Sequence, residues 1–278
     1  MSTSPEYLLI GHVAHDVTPN GPRLGGTVSY GGCAAQALGT AVGIVTSAQR
    51  DEVVLNALPA EIAVQLTEAP RSTVFVNTYV DGKRRQILRQ RAATLTLSDV
   101  PTAWRSAPIV HLAPLDDEVD PQLAFQFPHA LVAATPQGWM RTWDSEGVVS
   151  RKPWLQAQNL LPQLTVAVFS EEDIQWDKEL EAEYASLAKL LIITRAANGC
   201  TVYQQGQAPF NMPAPQVEVV DATGAGDVFT GVFLVMLHRT KNIETAARVA
   251  TELASISVTR VGLDGAPRPE EVKAILGN

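Results

Sequence analysis

Cysteine is almost missing from this chain of 278 residues: Cys33 and Cys200 stand alone, far apart. Such a pair forms no disulfide framework and no metal-spaced cluster, and it fits a reducing cytoplasm. Positive charge is also scarce. Twenty-one Lys and Arg face 29 Asp and Glu, a net charge of −8. Without a basic excess, nucleic acid is excluded as a partner, because nothing neutralises its phosphate backbone. A nucleotide is still allowed, since a few N–H groups and one arginine hold phosphate locally. Long apolar runs are lacking too. Leu8 to Ile10 is too short for a signal or a span, and Met1 to Tyr7 carries no basic region, so no membrane partner is expected. The five histidines show no metal-ligand spacing, so structural zinc is not expected. Internal repeats and low-complexity linkers are absent as well.

What remains is globular, with 46% hydrophobic and 18% charged residues, enough for one large domain over 1–278. Short apolar runs punctuate the chain. Strands are expected at Tyr7–Ile10, Ala41–Ser47, Ile62–Leu66, Ile109–Leu112, Ala130–Ala134, Thr165–Phe169, Leu190–Thr194, Thr201–Gln204 and Val217–Val220, with an edge strand at Gly147–Ser150. Helices are expected near Val28–Gly39, Asp177–Lys189, Ala225–His238, Ile243–Val261 and Glu270–Leu276. Alternation of this kind means an α/β fold, a three-layer, mostly parallel sheet with helices on both faces. His12 to Gly26 reads as turn-rich, with a turn at Asn20-Gly21-Pro22. Ser72 to Arg91 reads as the one hairpin of the first half, around Asp81-Gly82. Residues 12–26 and 72–91 are expected to form a small β lid or flap. Arg84, Arg85, Arg89 and Arg91 lie on one arm of that hairpin, as a solvated face.

Chemistry concentrates in Asp221-Ala222-Thr223-Gly224-Ala225-Gly226-Asp227, just before the amphipathic run Val228, Phe229, Val232, Phe233, Met236. Small residues let the backbone approach a ligand, and the first N–H groups of the following helix have no internal partner. Together they make an anion hole at Gly224, Ala225 and Gly226. Asp227, at the helix start, stays ionised and can accept a proton from an attacking hydroxyl. A bland alternative makes Asp221 and Asp227 turn and cap residues around a glycine hinge. Neither a Walker ending nor Gly-x-Gly-x-x-Gly is present.

The segment VEVVDATGAGDVFTGVFL resembles the C-terminal signature of the ribokinase-like (PfkB) carbohydrate kinases. The resemblance implies transfer of the γ-phosphate of ATP, with Mg²⁺, to a sugar, polyol or nucleoside hydroxyl, and Asp227 as catalytic base. Asp221 and Thr223 would sit beside the phosphates or near a monovalent cation such as K⁺. Asp16, Gly25-Gly26 and Leu38-Gly39 resemble the family's opening, which makes Asp16, Gly25 and Gly26 substrate-binding; a carboxylate accepts two hydroxyl hydrogen bonds. Thr194, Arg195 and Gly199 resemble the nucleotide loop, with Arg195 and Ala196 as departures, and Ala254 lies in the helix that would cover adenine. Two further departures stand out. Ser170-Glu171-Glu172-Asp173 replaces Asn-x-x-Glu, leaving Asp173 as the carboxylate for Mg²⁺ and Ser170 as a helix cap. Tyr30 replaces a substrate-pocket asparagine. GHVAHDVTPNG, LGGTVSY and PQGWMRTWDSEGVV are most similar to the myo-inositol kinase branch.

His12 and His15 read as surface or packing residues, Trp139, Trp143 and Trp154 as edge-strand and packing residues, and Cys33 as core. A nucleotide- or sugar-sensing protein on the same fold is the rival reading, warranted by the altered 170–173 segment. An NAD-dependent oxidoreductase is disfavoured by the missing fingerprint. Monomer and homodimer both fit.

Overall fold

The computed structural model describes residues 4–18, 21–80 and 83–277, the side chains of Tyr79, Val80, Lys83 and Arg84 excepted. In chain order the elements are β1 (Tyr7–Ile10), β2 (Ala14–Thr18), β3 (Gly21–Gly25), α1 (Thr27–Ala37), β4 (Val42–Ala48), β5 (Ala63–Glu68), β6 (Thr73–Val80) and β7 (Lys83–Gln90). Then follow β8 (Ile109–Leu112), β9 (Leu131–Ala134), β10 (Arg141–Trp143), β11 (Val149–Arg151), α2 (Ala157–Leu160), β12 (Val166–Ser170), α3 (Lys178–Leu187), β13 (Leu190–Thr194), β14 (Cys200–Gln204) and β15 (Phe210–Met212). The chain ends in α4 (Ala225–Thr240), α5 (Ile243–Ser257) and α6 (Pro269–Leu276).

Nine strands form one sheet in the order β15-β14-β13-β12-β9-β8-β1-β4-β5. All neighbours from β13 to β5 pair in parallel, and β14 and β15 close one edge antiparallel. Alternation along each strand sends side chains to opposite faces. Tyr7 and Leu9 join Ile192, Val202 and the inner faces of α1, α4 and α5 in one core. Leu8 and Ile10 join Trp139, Trp154, Phe169 and Tyr184 in the other. The three-layer α/β expectation holds, though the second face is covered by short helices and packed tryptophans; Trp139 and Trp154 stack at 5.6 Å. Cys33 is core, as expected, its thiol pushed up to about 11 by burial.

A second sheet runs β3-β2-β6-β7. Here the reading of 12–26 as turns is corrected: β2 and β3 pair antiparallel from Ala14↔Gly25 to Thr18↔Gly21. Consequently the 72–91 hairpin is not alone in the first half. β2 also pairs in parallel with β6, so the two excursions from the main sheet become one small sheet. The expected turns at Asn20 and Asp81-Gly82 lie outside the described residues. Gly147–Ser150 falls not on an edge of the main sheet but at a two-stranded ribbon, β10 with β11, bridged to β7 at Ile87↔Val148. The helix expected to run to Val261 stops at Ser257.

The strand expected at Val217–Val220 does not form. Pro213 and Pro215 lack ladder donors, and the N–H groups of Val220 and Asp221 bond to Val258 O at the end of α5 instead, at 2.8 and 3.1 Å. Val217, Val219 and Val220 are left exposed. No described helix is long and apolar enough to cross a membrane.

Candidate active site

Loops at the C-terminal ends of the parallel strands, the small sheet and the start of α4 converge on one site, the usual place for ligands in an open α/β sheet. Gly224 caps α4 in the left-handed conformation, φ 78°. A Cβ there would meet both unfavourable backbone energy and the ring of Tyr30. Ala225 N–H turns back to Ala222 O at 3.3 Å, and Val228 N–H is the first to close onto Gly224 O, at 2.8 Å. Between them, Gly226 sits where a helical N–H lacks a preceding acceptor. Asp227 lies half-buried in this first turn.

Upstream, Asp221 organises the turn. Its Oδ1 accepts from Thr223 N–H at 3.0 Å, and its Oδ2 accepts from Gly262 N–H at 3.0 Å. Burial pushes this carboxyl up, but the Thr223 and Gly262 hydrogen bonds and the nearby Arg23 outweigh it and hold it below the usual carboxylate range. Thr223 itself is exposed beside it.

Asp16 on β2 comes from the small sheet. Its carboxylate lies so close over Gly25 that any β-carbon there would collide with it. Asn77 Nδ2 donates to Asp16 Oδ1 at 3.2 Å, and Gln86 Nε2 donates to Asn77 Oδ1 at 3.2 Å, a polar chain across the sheet. Gly26, at the start of α1, packs against the backbone of His12. Tyr30, 4% exposed, stands in the middle. Burial, then the charges of Asp16, Asp221 and Asp227, push its phenol well above the usual value, with Arg23 opposing. So Asp16, Gly25, Gly26, Tyr30, Asp221, Gly224 and Asp227 are brought together.

The nucleotide-loop residues have their own set of partners. Thr194 Oγ1 donates to Phe169 O at 3.2 Å. Ala196 holds φ 46°, a left-handed backbone, at the position where the resemblance has glycine. The Arg195 guanidinium is engaged on three sides. It donates to Thr201 Oγ1 at 2.7 Å, to Glu171 Oε2 at 3.2 Å and to Glu181 Oε1. Burial pushes Glu181 up, yet hydrogen bonds from Arg195, Tyr203 and Lys178 bring it down to about 2. Glu171 is thereby an ion-pair partner rather than only a solvated charge. Gly199 O accepts from Arg195 N–H at 2.7 Å, closing the loop. Ala254, half-buried on α5, packs on the core. Asp173 Oδ2 accepts from Ser170 N–H at 2.9 Å, and Ser170 Oγ accepts from Glu172 N–H at 3.2 Å, so the segment is a self-closed turn. Burial raises the Asp173 carboxyl, opposed chiefly by Arg141.

Sequence reasoning missed three features. Arg23 on β3 stands with Nη1 3.9 Å from Asp221 Oδ2. Asn77 reaches Asp16. Arg91, expected as part of a solvated face, donates to Asp116 O and Asp117 O at 3.1 and 2.8 Å and lies over the Trp143 ring. His12 is neither surface nor plain packing. It is fully buried with Asp116 and Glu118, the three forming the one cluster among the described residues whose side chains could together hold a metal. His12 Nδ1 lies 3.3 Å from Asp116 Oδ1 and 2.7 Å from Thr73 Oγ1, and Nε2 lies 2.8 Å from Ala93 O. Burial disfavours the imidazolium, but the Glu118 charge and the adjacent Asp116 carboxylate outweigh it and raise the pKa. Glu118 accepts from the N–H groups of His12, Leu115 and Asp116. Burial and the Asp116 charge push Glu118 up to about 7. This cluster joins β1 and β8 to the small sheet.

Similarity to known proteins agrees with this geometry. Two curated relatives, the bifunctional protein HldE of Vibrio parahaemolyticus and that of Pectobacterium atrosepticum, are 31% and 36% identical over 110 and 107 residues. Each match covers 38% of this chain but only 23% and 22% of the relative, so the chain spans under a quarter of their length. Among solved structures, a pyrophosphate-dependent kinase in the ribokinase family, complexed with a pyrophosphate analogue and myo-inositol, superposes with TM-score 0.82 at 24% identity over 96% of this chain and 99% of that one. Arabidopsis thaliana ribokinase with ribose and ATP gives 0.74 at 18% over 99% and 100%. At these identities the likeness shows the fold. A family model described as pfkB family carbohydrate kinase matches residues 32–270, most of the chain including the whole Gly224–Asp227 turn, and on that match the chain belongs to the pfkB family of carbohydrate kinases.

Proposed function

We propose that this protein transfers the γ-phosphate of ATP to a hydroxyl of a sugar or polyol, with myo-inositol as the first candidate. The observation that supports it best is the left-handed Gly224 turn that delivers Asp227 in the first turn of α4 within the same field of charge as Asp16. The acceptor lies between them. Its hydroxyl proton passes to the Asp227 carboxylate as the oxygen bonds to phosphorus and the bond from phosphorus to the leaving diphosphate breaks. The Gly224–Ala225–Gly226 backbone forms the anion hole, with the Gly226 N–H as the donor that faces the transferring charge. Asp16, held by Asn77, binds acceptor hydroxyls, with Gly25, Gly26 and Tyr30 shaping the pocket. The small sheet acts as the lid.

Thr194, Arg195, Gly199, Thr223 and Ala254 line the nucleotide side, Arg195 by shaping the loop through its carboxylate partners. Exposed Val219, Val220 and Val261 offer apolar surface to a base near Gly262. Mg²⁺, when bound, neutralises the donor phosphates. One or two carboxylates suffice for it because phosphates and water complete its shell, and Asp173 and Asp221 are the residues that would support it. K⁺ would take the Asp221 turn. Inorganic pyrophosphate is a second donor to test, because one fold neighbour is a pyrophosphate-dependent kinase.

Acceptor-dependent release of ADP, or of phosphate from pyrophosphate, tests this across myo-inositol, ribose, fructose and nucleosides. Turnover that vanishes in Asp227→Asn supports the reading. ATP binding without transfer to any acceptor would favour a sensing protein.

A further inference from the structure

Three carboxylates, Asp16, Asp221 and Asp227, act on the phenol of Tyr30, and among the described residues Arg23 opposes them. A di- or triphosphate brings several more negative charges to that place, so cations must meet it there. Arg23 is positioned for this. It faces Asp16 across the β2–β3 pair, so it travels with the acceptor-binding strand. Its Nη1 is 3.9 Å from Asp221 Oδ2, within ion-pair range but beyond a hydrogen bond. Asp221 does not depend on it, because both carboxylate oxygens already accept backbone N–H groups. The guanidinium side chain is 38% exposed, and no hydrogen bond links it to another described side chain.

A planar fork of N–H donors matches phosphate oxygens two at a time, which suits Arg for this task better than Lys. We propose that Arg23 binds the phosphates of the donor, leaving Asp221 for them when the small sheet closes. This rests on the reading of the site as a kinase centre. It adds a specific consequence: donor occupancy and closure over the acceptor are coupled through one strand, since Asp16 and Arg23 move together.

The test uses the full chain with Mg-ATP and with inorganic pyrophosphate as calorimetric probes, on the wild type, Arg23→Ala and Arg23→Lys. Loss of a hydrogen-bonded charge predicts about 10- to 100-fold weaker binding of whichever donor the wild type takes. Arg23→Lys should recover part of it. Acceptor affinity measured without donor should stay within error, whereas a strand that merely loosened would weaken acceptor and donor alike. Unchanged donor affinity in Arg23→Ala overturns the proposal, and so does a wild type that binds neither probe. Should the alanine variant fail to fold, Arg23→Lys and Arg23→Gln carry the same comparison. Donor affinity lost in the variant while the wild type phosphorylates no acceptor would leave Arg23 as the phosphate ligand and remove the kinase reading. An active wild type with an unaffected variant would remove the Arg23 assignment alone.

Discussion

Two acid-rich clusters sit at the same end of the main sheet and differ in how their charges are partnered. Around His12, Asp116 and Glu118 nearly every polar atom is occupied: both imidazole nitrogens, both Glu118 oxygens and the Thr73 hydroxyl have protein partners. Asp116 Oδ1 makes no hydrogen bond but faces the His12 ring at 3.3 Å. Around Asp221 both carboxylate oxygens accept backbone N–H groups, Gly226 N–H at the start of α4 has no preceding helical acceptor, and the nearby guanidinium stands off at 3.9 Å. The first arrangement spends its polar groups on itself and so holds strands in place. The second leaves capacity for a ligand. Abundance of carboxylates separates the two poorly; saturation separates them well.

Substitutions can break this distinction. Asp227→Asn should lower turnover by roughly 10²–10⁴-fold, the usual worth of a general base, with the melting temperature nearly unchanged. Near-normal turnover would put both clusters in the same structural class. Asp116→Ala should do the reverse. Leaving His12 buried without its partner costs about 3–5 kcal/mol, read as a lower midpoint in urea, while the KM values of the surviving folded enzyme stay close to wild type. Gly224→Ala comes next, at about 1–2 kcal/mol for the left-handed backbone, plus displacement of Tyr30. Adding Tyr30→Ala should recover part of the loss, and simple additivity would show that the ring does not rest on this glycine.

A smaller effect is expected from pH. The folded pKa of His12 is raised, so its contribution is complete below its unfolded value of about 6.5 and drains away as pH rises through the folded value. Glu118, raised to about 7, loses its contribution earlier, as pH rises from its unfolded value of about 4.3 to about 7. Burial pushes Asp116 up but His12 pulls it lower overall, so its contribution is present above about 3.9 and disappears in acid. Melting temperature should therefore fall from near-neutral to alkaline pH, and His12→Gln should flatten that fall; parallel curves would remove His12 as the cause. Smallest of all, Arg248→Ala breaks an exposed pair with Glu252 on α5 and should cost about 0.3–0.5 kcal/mol, marking the floor against which the others are read.

The Gly224–Asp227 turn was legible in the sequence because its signals are local. Gly224, Gly226 and Asp227 lie within one helical start, and α4 announces itself by its apolar spacing. Arg23 was not, because its meaning depends on the register Asp16↔Arg23 and on a loop nearly two hundred residues later. The His12 cluster was hidden for the same reason: its partners come from β6 and from the loop after β8, with Glu118 106 residues away. Val217 to Val220 misled because a β-rich run also describes a strand-like loop whose donors are taken by a helix end. Ala196 shows the opposite case, where backbone shape was kept although the glycine was not.

The small sheet consists of two excursions, 14–25 and 73–90, stitched by the parallel pairing of β2 with β6. In folding terms that seam is non-local. β2 leaves directly from β1, but β6 arrives only after α1, β4 and β5 have been laid down. The loop between them must close before any β2–β6 bond can form, which is entropically slow compared with the local β6–β7 hairpin. Within the small sheet the local β2–β3 and β6–β7 pairs therefore precede the seam, and the strand that carries Asp16 acquires its second neighbour last.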